Sequence, residues 1–230
     1  MNLIEPQWWQ DILLILNNIV FNSNTLQILI PILADIFVFS YPIILVVRYS
    51  KGIIQDNPEL KSSAITVWCS AAYVTIINMI IQSIRHKDRP IFSEGNSVHL
   101  ILNELPTAAF PSDHAAVSMV IWLVIALIAF KQRNQFLKSL SFILIVAAII
   151  MSISRVAVWV HRPTDIIAGW TVACVVMWIL HHHTINMRQQ TYINQPLIRL
   201  QEWIFNHTWL TTLIARYSSK IPNSTIDPSL

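Results

Sequence analysis

Three short groups of polar residues stand in order on an otherwise apolar chain: Arg89-Pro90, then Pro111-Ser112-Asp113-His114, then Ser154-Arg155 followed by His161 and Asp165. Between them they supply two histidines, two arginines, serine hydroxyls and a carboxylate able to orient a histidine. That set can move a phosphoryl group without a metal or any other cofactor. Phosphate oxygens need neutralising donors, and the planar fork of arginine provides them. Arg89 and Arg155 are the candidates. Ser112 adds a hydroxyl, and a helix starting near Asp113 would aim free backbone N–H groups at the anion. Asp113 would repel a phosphate unless it paired with an arginine or capped that helix; the cap is the role expected of it.

His161 and Asp165 are four residues apart, with Pro163 between them. Proline favours the first turn of a helix, so the spacing predicts a helix start here. Asp165 would then accept from one imidazole nitrogen of His161, fix its tautomer and leave the other nitrogen to attack phosphorus. His114 is the candidate acid for the departing oxygen, and then the base for the water that hydrolyses the phosphohistidine. Taken singly these features are weak. A lone histidine at an interface is ordinarily a satisfied polar residue, and a His–Asp pair at this spacing is ordinarily a helix start. Their combination, in order, is what points to chemistry.

Membrane helices must position these groups. The 230 residues are 54% hydrophobic and 12% charged, with a mean hydropathy of +0.54; soluble domains carry about 25% charged residues. The apolar runs are continuous rather than alternating, which favours helices over a β-barrel. Five runs, about 26–48, 63–84, 115–130, 137–157 and 164–181, are taken as spans, the third extending into the serine-histidine group. Residues 6–20 and 196–217 mix tryptophan and aliphatic residues with polar ones and read as interfacial helices; 218–230 is a polar tail. The expected fold is an all-α integral membrane protein, a bundle of about five transmembrane helices with an interfacial helix at each end, forming a single domain over 1–217. The early residues lack Lys and Arg and are interrupted by Trp8-Trp9 and Asp11, unlike a secretory signal. Cys69 and Cys174 fall inside apolar runs, where thiols pack rather than form disulfides or bind metal. A net charge of +3 without a basic, aromatic-interleaved stripe gives no nucleic-acid partner.

Basic residues set the expected orientation. Arg48, Lys51, Lys61, Lys131, Arg133, Lys138, Arg188, Arg199, Arg216 and Lys220 put the C-terminus inside and the N-terminus outside. Arg85, Lys87, Arg89, Arg155 and Arg162 fall on the outer side against that rule, each within or beside the three groups. Cations on the unexpected face suggest a functional anion site there, favoured over simple pairing with outer-leaflet lipid phosphates. Asp35, deep in the first span, is costly at that depth and is weighed equally as a functional and a structural residue. His181-His182-His183 reads as an interfacial polar cluster, since consecutive helical residues point apart. His99 and Glu94 read as loop polarity.

The three groups resemble the motifs of the type 2 phosphatidic acid phosphatase superfamily, K-x6-R-P, P-S-G-H and S-R-x5-H-x3-D. The third is complete in Ser154, Arg155, His161 and Asp165. The second carries Asp113 in place of glycine, and the first carries Gln82 in place of lysine, with Arg85 or Lys87 available to compensate. These departures, the stretch Leu100 to Pro111 and the segment from Gln195 to Ile198 are similar to the undecaprenyl-diphosphate phosphatases of the bacitracin-resistance type. The resemblance implies hydrolysis of a polyprenyl diphosphate lipid on the outer face of a bacterial inner membrane, recycling the cell-wall carrier and protecting against bacitracin. Two alternatives stand beside it: a phosphatase for phosphatidylglycerophosphate, phosphatidate or lipid A, and a non-catalytic lipid-binding or transport relative. Nothing in the sequence sets an oligomeric state.

Overall fold

The computed structural model describes residues 7–93, 99, 101 and 107–206, without the side chains of residues 7–9, 12, 93, 183, 184 and 206. The described residues form helices α1 (Gln7–Phe21), α2 (Asn24–Ile54), α3 (Pro58–Ile84), α4 (Pro90–Ser93), α5 (Asp113–Gln132), α6 (Gln135–Ala157), α7 (Pro163–His181) and α8 (His183–Gln189), a π-helical turn (Gln190–Asn194) and α9 (Gln195–Asn206). Helices α2, α3, α5, α6 and α7 are long and apolar enough to cross a membrane. They match the five expected runs and extend past them, because helical hydrogen bonding continues to the polar caps where an apolar window stops. Ser23, Asn57, Ser112 and Asn134 each accept a backbone N–H of the first turn. Pro58 and Pro163 occupy first-turn positions.

Helix α5 is the centre of the bundle: 56% of its apolar stretch is buried, against 17% to 39% in the other four. It packs against α2, α3, α6 and α7. Val67 and Val74 of α3, Met119, Val120 and Val124 of α5, Leu144 of α6 and Ala173 and Val176 of α7 form the main core. Small residues let the backbones approach, as lipid-embedded helices require. A Cβ on Gly169 would lie 2.6 Å from the Ser112 carbonyl oxygen and 3.2 Å from the Ala116 nitrogen. Outward-facing Ile28, Phe39, Ile43, Phe130, Phe142 and Trp178 are exposed in the isolated chain, as a bilayer-facing surface should be.

The flanking helices are anchored by polar contacts. In α1, Asn17 Nδ2 donates to the Ala157 and His99 carbonyls, both at 3.3 Å, and the His99 N–H donates to Asn17 Oδ1 at 3.0 Å. Phe21 stacks on the His99 ring. At the opposite end of the bundle, buried Lys61 pairs with Glu202 of α9 at 3.2 Å and Asp56 at 3.5 Å. Pro6, Glu94, most of Leu100 to Pro106, the second half of the expected C-terminal helix (207–217) and the tail 218–230 lie outside the described residues.

Candidate active site

The ends of α3, α5, α6 and α7 meet at one end of the bundle, and three backbone hydrogen bonds stitch the motif-bearing segments together. The Ala109 N–H donates to the Lys87 carbonyl at 2.7 Å, the Ile91 N–H to the Trp159 carbonyl at 3.2 Å and the Ser112 N–H to the Asp165 carbonyl at 3.0 Å. Each of the three sequence groups is therefore joined to the other two.

The link between Arg155 and His161 is a closed helix end. The Trp159 N–H donates to the Val156 carbonyl and the Val160 N–H to the Arg155 carbonyl, the double bond pattern of a Schellman cap. That cap needs a left-handed residue, usually glycine; here it is Trp159, at φ 60. The strain is offset by burial of the indole and by its Nε1–H donating to the Leu13 carbonyl of α1 at 3.2 Å.

His161 is 3% exposed. Its Nδ1 lies 3.0 Å from the Ala109 carbonyl oxygen and 3.9 Å from Asp165 Oδ2. A carbonyl can only accept, so Nδ1 carries the proton and Nε2 keeps its lone pair. The expected His161–Asp165 hydrogen bond is thus not formed. Asp165, fully buried, is engaged elsewhere: Lys87 Nζ donates to its Oδ1 at 2.7 Å, and the Arg162 backbone N–H donates to its Oδ2 at 2.8 Å. Lys87 also reaches Thr164 Oγ1 at 3.3 Å. An ammonium is a stronger partner for a buried carboxylate than a neutral imidazole. Burial, and then the positive charges of Arg155, Arg89 and His114, hold His161 well below the ordinary 6.5, while the hydrogen bond to Ala109 pulls the other way.

Arg155, 1% exposed, places Nη1 2.5 Å from Asp35 Oδ1 and 3.4 Å from His114 Nε2. Asp35 Oδ1 is also 3.4 Å from His114 Nε2. The structure thus gathers Asp35, equivocal by sequence, with two expected site residues. Arg89 donates to Thr107 Oγ1 from Nε at 3.3 Å and Nη2 at 2.8 Å. Arg85 and Lys87 both lie over the Phe110 ring.

Asp113 departs from its expected place. Ser112 is the residue before the helix, and its hydroxyl accepts the Ala115 N–H. Asp113 turns to α3 instead, taking Asn78 Nδ2 at 2.8 Å and Gln82 Nε2 at 3.1 Å; Gln82 also donates to the Pro111 carbonyl at 3.1 Å. Two amides in place of an arginine or a cap satisfy the carboxylate. Sequence reasoning missed Asn78, one helical turn before Gln82, and the Ala109 carbonyl. The four-residue spacing could have flagged Asn78; a backbone acceptor leaves no residue signature. His181 and His182 are exposed at the opposite end of the bundle, and the His183 side chain lies outside the described ones.

Comparison with known proteins adds three findings. A sequence profile described as the PAP2 superfamily matches residues 63–188, which contain all three motif groups but not Asp35. The undecaprenyl-diphosphatase BcrC of Bacillus subtilis (strain 168) is 22% identical over 185 residues, covering 80% of this chain and 87% of that protein. The crystal structure of a transmembrane PAP2-type phosphatidylglycerolphosphate phosphatase from Bacillus subtilis is similar in fold, with a TM-score of 0.54 and 18% identity over 77% of this chain and 86% of that one.

Proposed function

The chain belongs to the PAP2 superfamily and is a multi-pass membrane-lipid phosphatase, and from that premise we propose that it removes the terminal phosphate of undecaprenyl diphosphate through a phosphohistidine on His161. The observation that carries the mechanism is the buried His161 whose Nδ1–H is tied to the Ala109 carbonyl. The tie leaves Nε2 as a lone-pair nucleophile, and burial, with the cations around it, disfavours protonation of the ring.

In the first step, Nε2 of His161 bonds to phosphorus while the bond from phosphorus to the departing oxygen breaks. That oxygen keeps the electron pair and takes a proton from His114. Arg155 and Arg89 neutralise the non-bridging oxygens, and the Ser112 segment at the α5 N-terminus adds backbone donors. In the second step, water gives a proton to His114 as its oxygen attacks phosphorus, releasing inorganic phosphate and restoring His161. Asp165 acts at one remove: with Lys87 and the Arg162 N–H it holds the start of α7 against the loop that carries Lys87. No step requires a metal. The site end facing outward across a bacterial inner membrane would suit recycling of the lipid carrier.

The choice of undecaprenyl diphosphate is supported by the BcrC similarity, which spans most of both chains. Its test is the purified protein offered undecaprenyl diphosphate, phosphatidylglycerophosphate, phosphatidate and lipid A, with released phosphate measured in EDTA and again with vanadate. Preferred turnover of the diphosphate, unaffected by EDTA and abolished by vanadate, is expected. Preference for a glycerophospholipid would move the substrate assignment. Release that needs a divalent ion would overturn the mechanism, and no release from any lipid would favour a binding or transport role.

A further inference from the structure

The matched family region begins at residue 63, yet α2 sends a carboxylate into the site from residue 35. One oxygen of it, Oδ1, contacts both groups that the proposed chemistry reserves for the substrate: Arg155 Nη1 at 2.5 Å and His114 Nε2 at 3.4 Å. Those two nitrogens are themselves 3.4 Å apart. The three atoms form a small triangle whose anionic corner is supplied by the protein. The Arg155 side chain is 1% exposed, whereas Asp35 and His114 are 37% and 29% exposed, so the carboxylate and not the guanidinium is the accessible member of the ion pair.

A phosphate oxygen bridging a neutralising guanidinium and an acidic imidazole would have to sit where Asp35 Oδ1 now sits. Two anions cannot share one donor pair, so an incoming phosphoryl group must displace the carboxylate. A lipid substrate can do so because the burial of its hydrocarbon tail contributes binding free energy remote from the reacting centre. Inorganic phosphate and small phosphate esters have no tail. We propose that Asp35 is a specificity-determining residue, an internal stand-in for the phosphate that keeps simple anions out of the site and admits phosphate carried on a lipid. The same competition favours departure of the phosphate product. This rests on the reading of Arg155 and His114 as the phosphate-binding and proton-donating pair.

The direction of the effect separates this role from a merely structural one. Inhibition constants for inorganic phosphate and vanadate, and KM for p-nitrophenyl phosphate and for the lipid substrate, are to be measured on wild type, Asp35→Asn, Asp35→Ser and Asp35→Glu. Asp35→Asn and Asp35→Ser should tighten phosphate and vanadate by roughly tenfold, the scale of one charge-assisted hydrogen bond removed from the competitor. KM for p-nitrophenyl phosphate should fall more than KM for the lipid, and Asp35→Glu should remain near wild type. A residue that only braces Arg155 predicts the reverse, weaker anion binding on loss of the carboxylate. Unchanged or weakened phosphate and vanadate inhibition in both neutral variants, with wild type active, overturns the inference and leaves the phosphatase reading standing. A wild-type protein that neither releases phosphate nor binds vanadate overturns both.

Discussion

Gln82 and Asp113, the two departures from the family motifs, touch each other, and this accounts for both. The Gln82 amide donates to Asp113 Oδ2 at 3.1 Å while the Asn78 amide donates to Oδ1 at 2.8 Å, so both oxygens of the carboxylate are held by α3. A lysine at 82 would meet the same carboxylate as an ion pair, worth about 1 kcal/mol or less when partly exposed. Gln82→Lys is therefore expected to keep kcat/KM for lipid phosphate release within about fivefold of wild type. Arg89→Ala removes a guanidinium assigned to the phosphate and should cost about 10²-fold in the same assay. An Arg89→Ala enzyme with wild-type kcat/KM would take Arg89 out of the site. Residue identities made His114, Arg155 and His161 legible, because few arrangements call for those types in that order. Partner choice was less legible. His161 could be paired by spacing with Asp165, but Lys87, 78 residues earlier, holds that carboxylate, and the Ala109 carbonyl that fixes the tautomer could belong to any residue type.

The elements matter because each motif sits at a helix end whose position depends on helix packing. Gly169 lets α7 approach α5 closely enough for the Ser112 N–H to reach the Asp165 carbonyl. A methyl there meets backbone 2.6 Å away, which cannot rotate aside. Gly169→Ala should lose about 1–3 kcal/mol of stability and, by separating Ser112 from Asp165, also lower kcat/KM of the folded enzyme. Gly52→Ala is the contrast: its Cβ would lie 2.9 Å from Lys61 backbone and side-chain atoms at the opposite end of the bundle. It should lower Tm while sparing kcat/KM. Thermal unfolding together with phosphate release on both variants checks this, and equal kcat/KM losses would show that the α5–α7 approach does not govern the site. Span existence was legible from apolar runs alone, since water-free surroundings leave few backbone choices. The Schellman cap at Trp159 was not. The rule for such a position names glycine, and the indole is tolerated only because α1, distant in sequence, supplies an acceptor and a packing surface.

At the scale of the whole molecule, the five cations that break the charge bias are committed to protein partners. Lys87 holds Asp165, Arg155 holds Asp35, Arg89 holds Thr107, Arg162 donates through Nη1 to the Asp88 carbonyl, and Arg85 lies over Phe110. Two are neutralised by buried or half-buried carboxylates, so their weight as topology signals is less than their number suggests. At the opposite end buried Lys61 is likewise paired with Asp56 and Glu202, but Lys51, Lys131, Arg133, Arg188 and Arg199 are exposed and Lys138 is half-buried. The balance therefore favours the site end outside, and it can be read directly by labelling. In a Cys69→Ala, Cys174→Ala background, His86→Cys places a thiol in the exposed loop after α3, beside the site. Gln132→Cys places one at the exposed end of α5, beyond the opposite face. A membrane-impermeant maleimide should label the first in intact spheroplasts and the second only after lysis. The inverse pattern would put the site in the cytoplasm, where the cations around His161 would draw a different pool of phosphorylated lipid, and the cell-wall carrier reading would lose its compartment while the chemistry of His161 and His114 stood unchanged.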